Sequence, residues 1–217
     1  MKVSAVLFDL DGTLLDTLGD IAASMNAVLS GKGYPAHPAQ LYRKFIGDGI
    51  ETLVRRALPA GSADADLVAA LRGMMRDEYS RRWADTTRPY PGVEALLDGL
   101  AARGTPMAVL SNKPDEFTKK MCDHYFKRWR FPIVIGESPA LPKKPDPAAA
   151  LHIARTLNRA PSEFIYLGDS GTDMATAAAA GMYPAGALWG FRDAGELLAN
   201  GARALLERPE DLLDLWR

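Results

Sequence analysis

The run VSAVLFDLDGT at residues 3–13 decides the fold that we expect for this chain. Its first six residues are mostly apolar, and a turn residue, Gly12, follows soon after them. Such a run is typical of a parallel strand that is buried on both faces. Four later runs of the same kind lie at residues 106–110, 131–135, 164–167 and 184–189, with helical patterns before or between them. This alternation predicts an α/β fold built on a doubly wound parallel sheet.

The segment between the first strand and Pro89 has a different character, because it shows helical patterns and no convincing strand. Apolar residues recur at helix spacing over residues 18–29 and again over residues 67–79. We therefore expect an α-helical domain at residues 16–88, inserted into a core domain made of residues 1–15 and 89–217.

The composition excludes several classes of function. The chain has 217 residues, of which 26 are basic and 27 acidic, so its formal net charge is -1. This balance leaves no excess of positive charge that would bind nucleic acid or an anionic membrane, and we expect neither as a partner. The single cysteine, Cys122, cannot form an internal disulfide, which fits a reducing, cytoplasmic location. The charge-free residues 174–191 approach membrane-spanning length, but Gly181 and Pro184 interrupt them, so we expect a buried helix followed by a buried strand.

Polar side chains follow four of the predicted strands, where a doubly wound sheet places its active site. The four groups are Asp9 with Asp11, then Ser111-Asn112-Lys113, then the PKKPDP run at residues 142–147, and finally Asp169 with Asp173. Carboxylate and carbonyl oxygens are the ligands that Mg²⁺ prefers, and hydroxyl, amide and ammonium groups bind phosphate oxygens. The strand ends together therefore predict Mg²⁺-assisted phosphoryl transfer.

At this point the sequence resembles the haloacid dehalogenase superfamily, and within it the phosphoglycolate phosphatase-like group with a helical, C1-type cap and a Rossmann-like core. Four motifs carry the resemblance, in order and over essentially the whole chain: FDLDGTLLDT at residues 8–17, LSNK at 110–113, KPDP at 144–147 and GDSGTD at 168–173. Four motifs in the expected order make this a specific match.

The resemblance implies roles for three catalytic residues. Asp9 would attack phosphorus and bind Mg²⁺. Asp11 would protonate the leaving alkoxide, would then deprotonate the attacking water, and would touch the metal through its main-chain carbonyl. Lys144 would screen the charge between Asp9 and phosphate, although only the Lys-Pro-x-Pro spacing distinguishes it from Lys143.

The same resemblance implies the binding residues. Ser111 and Asn112 would hold the phosphoryl oxygens. Asp169 would join Asp9 and Asp11 as a metal ligand, whereas Asp173 would act on the metal directly or through water.

The inserted domain offers a candidate specificity site. Arg43 and Lys44 precede the loop that contains Gly47, Asp48 and Gly49. In the superfamily that the sequence resembles, this part of the cap contacts the leaving group of the substrate. The resemblance therefore implies that Arg43 or Lys44 could pair with a carboxylate such as that of 2-phosphoglycolate.

We therefore expect a phosphomonoester hydrolase that forms an aspartyl phosphate and acts on a small phosphorylated metabolite, with 2-phosphoglycolate as the best candidate. Pyrophosphate, a nucleoside monophosphate or a sugar phosphate remains open as substrate, and so does the oligomeric state. A hexose phosphate mutase would carry histidine where this chain has Ile21, a dehalogenase would not need Asp11, and a phosphonate hydrolase would need Lys32 or Lys44 as its cap lysine. The non-enzyme alternative is an aspartate phosphoacceptor signalling domain, which has no reason to carry a helical insert.

Overall fold

The N-terminal apolar run forms a central strand of a parallel sheet. The computed structural model describes residues 3–216. Its strands, in chain order, are β1 (Ala5–Phe8), β2 (Leu15–Asp16), β3 (Arg88–Pro89), β4 (Met107–Pro114), β5 (Ile133–Glu137), β6 (Phe164–Gly168), β7 (Tyr183–Ala187) and β8 (Ala204–Leu206).

Helices alternate with these strands. The α-helices are α1 (Leu18–Gly31), α2 (Ile50–Ala57), α3 (Ala65–Arg82), α4 (Val93–Ala102), α5 (Asp115–Tyr125), α6 (Ala148–Thr156), α7 (Gly171–Ala180) and α8 (Ala194–Ala199). Short 3-10 helices span Ala39–Lys44, Pro161–Glu163 and Pro209–Asp214. The chain divides into two compact units, residues 1–15 with 89–217 and residues 16–88.

The first unit contains a six-stranded sheet in the order β5-β4-β1-β6-β7-β8, with parallel pairing throughout. All four residues of β1 are buried, because strands lie on both sides of it and helices cover the sheet. This sheet confirms the predicted doubly wound α/β fold. Phe8 pairs with Val109 of β4 and with Leu167 of β6, so the carboxyl ends of these three strands meet at one edge.

Small residues let helices pack closely on this sheet. Ala149, Ala150 and Ile153 of α6 share a buried cluster with Leu7 of β1 and Tyr166 of β6. Burying a side chain such as Ile153 contributes about 1.5–3 kcal/mol. The sheet edge that carries polar residues is therefore supported by a well-filled core.

The structure corrects one detail of the sequence prediction. β4 continues to Pro114, with an irregular register between Leu110 and Pro114, because its end pairs with Glu137 of β5. Residues 111–113 thus lie in the last part of the strand, although we expected them to follow it. The charge-free residues form most of α7 followed by β7, as predicted, and no helix among residues 3–216 is long and apolar enough to cross a membrane.

The second unit contains α1 and α3, which the helical patterns predicted, and α2, which they did not. α3 begins after Asp64, whose side chain accepts a hydrogen bond from the main-chain N–H of Leu67 at 2.9 Å. α1 carries a buried carboxylate, Asp20, which accepts hydrogen bonds from the last turn of this unit at Thr86 and Thr87.

Candidate active site

Three buried carboxylates come together beyond the carboxyl ends of β1 and β6. Asp9 directly follows β1 and is fixed by a 3.0 Å hydrogen bond from its main-chain N–H to the carbonyl of Leu167. Asp9, Asp169 and Asp173 each offer an oxygen atom, and these atoms all lie within 4.8 Å of one another. Ligands of an octahedral cation at about 2.1 Å are about 3–4 Å apart, so this all-oxygen set fits a hard divalent metal ion.

Lys144 lies between two members of this carboxylate cluster. Its Nζ atom is 2.9 Å from Oδ1 of Asp9 and 2.6 Å from Oδ1 of Asp173. Its side chain is buried, whereas the neighbouring Lys143 is exposed. The sequence distinguished Lys144 from Lys143 only by motif spacing, whereas the structure shows that Lys144 contacts the cluster.

Asp173 is held from several directions at the start of α7. Its Oδ2 atom accepts hydrogen bonds from the main-chain N–H and the hydroxyl of Ser170, at 3.1 and 2.6 Å. The hydroxyl of Tyr166 lies 3.3 Å from Oδ1. These contacts leave Asp173 well placed to orient Lys144, whether or not it also contacts a metal ion.

Asp169 is fixed by two donors. The hydroxyl of Thr13 lies 3.2 Å from its Oδ1, and the main-chain N–H of Phe191 donates to its Oδ2 at 2.7 Å. A Cβ atom at Gly12 or at Gly190 would clash with the Asp169 side chain, so both positions require glycine for space.

Asp11 contacts a different lysine from Asp9. The chain turns at Gly12, whose φ of 85° favours glycine, and the Asp11 carboxylate lies against Lys113. The Lys113 Nζ atom is 3.0 Å from Oδ1 and 3.1 Å from Oδ2 of Asp11. The carboxylates of the two aspartates in the first motif are therefore paired with different lysines.

Ser111 and Asn112 are both buried beside these groups. The Asn112 side-chain amide donates to the carbonyl of Lys144 at 3.1 Å, and its Oδ1 accepts from the main-chain N–H of Lys144 at 2.9 Å. The side chain of Asn112 therefore fixes the loop that carries Lys144, whose peptide bond to Pro145 is cis.

Burial and mutual repulsion shift the pKa values of the cluster. Burial raises the pKa of Asp9 to about 7, and the charge of Asp173 adds to this rise while Lys144 opposes it. Burial, together with the charges of Asp9 and Asp173, also raises the pKa of Asp169 well above its usual range. Burial alone would lower the pKa of Lys144, but Asp173 and Asp9 outweigh it, and the pKa is raised well above its usual value. The Lys144 ammonium contacts two of the three carboxylates, and a divalent cation would neutralise the negative charge that remains.

Four residues that contact the site had no individual role predicted from the sequence. Lys113 belongs to the LSNK motif at residues 110–113, so its position in the sequence indicated that it lies near the site. Thr13 belongs to the first motif and had the same signal. Tyr166 and Phe191 had none, because their contacts depend on strand register and loop path.

The predicted specificity residues lie in the second unit. Arg43 and Lys44 end the 3-10 helix, and Gly47, Asp48 and Gly49 precede α2. Arg56 of α2 organises this loop in the second unit. It pairs with Asp48 at 2.6 Å and donates to the carbonyls of Lys44 and Phe45 at 3.4 and 3.2 Å.

A buried set of hard oxygen ligands beside a buried ammonium suits an anionic phosphoryl group, and it lies where doubly wound sheets bind ligands. Fold and site together define an α/β enzyme of the phosphoryl-transfer class. The family model for haloacid dehalogenase-like hydrolases matches residues 6–187, and the chain belongs to this family.

Relatives agree with this assignment. The chain is 35% identical to a phosphoglycolate phosphatase of Pseudomonas putida, with 93% of this chain and 78% of the relative covered. It is 33% identical to a phosphoglycolate phosphatase of Chromobacterium violaceum, with 99% and 97% covered. A solved structure from Lactobacillus delbrueckii subsp. bulgaricus, provisionally assigned as a phosphoglycolate phosphatase, superposes with a TM-score of 0.93 at 28% identity and covers 99% of this chain and 98% of its own. The predicted resemblance and the prediction of a phosphatase are thus confirmed.

Proposed function

We propose that this protein is a Mg²⁺-dependent phosphomonoesterase whose preferred substrate is 2-phosphoglycolate. The observation that carries the proposal is the buried cluster of Asp9, Asp169 and Asp173, with the Lys144 ammonium between two of its members. The names of the curated relatives support the choice of substrate. We also propose a cytoplasmic location, which the single cysteine supports.

In the proposed reaction an oxygen of Asp9 attacks phosphorus, and the bond from phosphorus to the ester oxygen breaks. Asp11 gives a proton to the departing oxygen. It then takes a proton from the water that attacks the aspartyl phosphate, which frees phosphate and regenerates the Asp9 carboxylate. Lys144 balances negative charge beside Asp9 throughout. Mg²⁺, held by Asp9, Asp169 and the main-chain carbonyl of Asp11, would neutralise charge on the phosphoryl oxygens.

The phosphoryl oxygens also need hydrogen-bond donors. The Ser111 hydroxyl oxygen accepts from the main-chain N–H of Lys113 at 3.3 Å, so its own hydrogen is available to a ligand. The Asn112 side chain is engaged with Lys144, and we therefore assign its contact with phosphate to its main-chain N–H.

The test is a kcat/KM panel of 2-phosphoglycolate, pyrophosphate, nucleoside monophosphates and sugar phosphates, with Mg²⁺ and with chelator. We expect phosphate release to require Mg²⁺ and to be fastest with 2-phosphoglycolate. If another member ranks first, the substrate assignment is wrong while the chemistry stands. Absence of phosphate release from every member would contradict the chemistry.

The role proposed for the second unit has its own test. Arg43→Ala or Lys44→Ala should raise the KM for 2-phosphoglycolate about tenfold, because an ion pair with the substrate carboxylate is lost. Arg72→Ala, at an exposed position of α3, is the matched control and should leave the KM unchanged. Unchanged KM values in both test variants would remove these residues from the proposal.

A further inference from the structure

A second lysine lies against the carboxylate to which the proposed mechanism assigns proton transfer. The Lys113 side chain is 5% exposed and that of Asp11 is 11% exposed, so the pair is shielded from water. The main chain of Lys113 is anchored on both sides, because its N–H donates to Ser111 and its carbonyl accepts from the Thr118 hydroxyl at 3.1 Å. A short, shielded pair on an anchored strand holds its geometry better than a surface ion pair does.

The two buried lysines contact three of the four carboxylates, and they share none of them. Lys144 contacts Asp9 and Asp173, whereas Lys113 contacts both oxygens of Asp11. A hard cation attracts any carboxylate within reach, and Asp11 is only two residues from Asp9. Without the Lys113 ammonium beside it, the Asp11 carboxylate would be drawn toward the metal-binding cluster by electrostatic attraction to a bound cation.

We propose that Lys113 is a positioning residue that holds the Asp11 carboxyl group away from the cluster, so that this carboxyl group carries protons while only the main-chain carbonyl of Asp11 contacts the metal ion. This inference rests on the proposed function and adds a residue to it. As the bond from phosphorus to the ester oxygen breaks, its electron pair passes to that oxygen, which takes the proton from one Asp11 oxygen. The other Asp11 oxygen stays on the Lys113 ammonium.

The experiment compares two phosphate esters that differ in their need for a proton. The leaving group of p-nitrophenyl phosphate is a phenolate that departs readily without protonation, whereas an alkyl phosphate leaves an alkoxide that needs a proton. The alkyl ester is the best alkyl phosphate of the substrate panel. The ratio of the two kcat/KM values therefore reports on Asp11 acting as an acid.

Lys113→Met should lower kcat/KM for the alkyl ester about 10- to 100-fold and that for the aryl ester less than about threefold. In an Asp11→Asn background the same change should add less than about a twofold loss, because both residues act in one step. Lys113→Arg keeps the charge and should recover most of the lost ratio. Lys119→Met removes an exposed lysine of α5 that pairs with Asp115, and it should behave like the wild type.

Equal losses on both esters, additive losses in the double variant, or no loss at all would each overturn the proposal. A wild-type protein that cleaves neither ester would overturn the proposed function itself, which separates the two failures. If Lys113→Met does not fold, as judged by circular dichroism, the crystal structure of Lys113→Gln replaces it. We expect a rotated Asp11 carboxylate there, and an unchanged orientation would overturn the proposal.

Discussion

Two single residues, both glycines, set the space around the Asp169 carboxylate. Asp169 accepts hydrogen bonds from Thr13 and Phe191, and Gly12 and Gly190 leave the room that its side chain needs. A predicted metal ligand is therefore positioned in part by two residues that have no side chain. Activity should respond to these positions as strongly as to the ligand itself.

Gly190→Ala should reduce kcat/KM at least about 100-fold, because its Cβ atom would push against Asp169 and the carbonyl of Gly12 and displace groups that must stay within a fraction of an ångström. Gly73→Ala is the matched control, since a Cβ atom there meets nothing within 4 Å. Steady-state kinetics at saturating Mg²⁺ measures both. Full activity of Gly190→Ala would show that Asp169 tolerates displacement.

The positions of the candidate residues could be predicted from the sequence, but their pairings could not. Asp9, Lys144 and Asp169 follow strands, and the ends of parallel strands converge, so their proximity followed from the strand pattern. The contact of Lys113 with Asp11 joins residues 102 positions apart. It depends on the register of β1 against β4 and on the irregular end of β4, and the local hydrophobic pattern predicts neither of them.

At the scale of elements, a buried carboxylate joins the start and end of the second unit. Asp20 of α1 accepts hydrogen bonds from the main-chain N–H and the hydroxyl of Thr86 at 2.8 and 2.6 Å. It accepts the same pair from Thr87 at 2.9 and 2.7 Å. Four donors compensate a charge that is 2% exposed.

Asp20→Ala should lower the free energy of unfolding by about 2–4 kcal/mol, because it leaves buried donors without an acceptor. Asp77→Ala, at an exposed position of α3, should change it by less than about 0.5 kcal/mol. Urea denaturation followed by circular dichroism measures both. Equal stabilities of the two variants would show that the four hydrogen bonds contribute little.

Long, apolar or strongly periodic elements were the ones that the sequence predicted well. The five predicted strands and the predicted helices α1, α3 and α7 are present, with ends that differ by a few residues. The sixth sheet strand, β8, was missed because its three residues are too few to show a period.

For the whole molecule, charge in the carboxylate cluster couples folding to pH and to metal binding. Folding raises the pKa of Asp9 to about 7 and raises that of Asp169 well above its usual range. Carboxyl groups with raised pKa values stabilise the fold at low pH, and that stabilisation is lost as the pH rises through the folded pKa. Metal-free protein should therefore lose stability between about pH 4 and about pH 7 from these groups.

Mg²⁺ should consequently raise the Tm more at about pH 8 than at about pH 5.5, because the cation competes with protons for the same oxygens. Differential scanning fluorimetry with Mg²⁺ or with chelator measures the shift. Asp9→Asn should have a higher Tm than the wild type when both are metal-free at about pH 8, and it should respond less to Mg²⁺. An equal Mg²⁺ shift at both pH values would contradict this linkage.

The role of Asp9 as the nucleophile can be tested by trapping the aspartyl phosphate. Asp11→Asn protein with Mg²⁺ and p-nitrophenyl phosphate should release nitrophenol once and then stall, because the leaving group needs no acid while the attacking water lacks its base. Mass spectrometry of the acid-quenched protein should then find one phosphoryl group on the peptide that contains Asp9. Nitrophenol release with the phosphoryl group on another residue, or with none on the protein, would contradict the account.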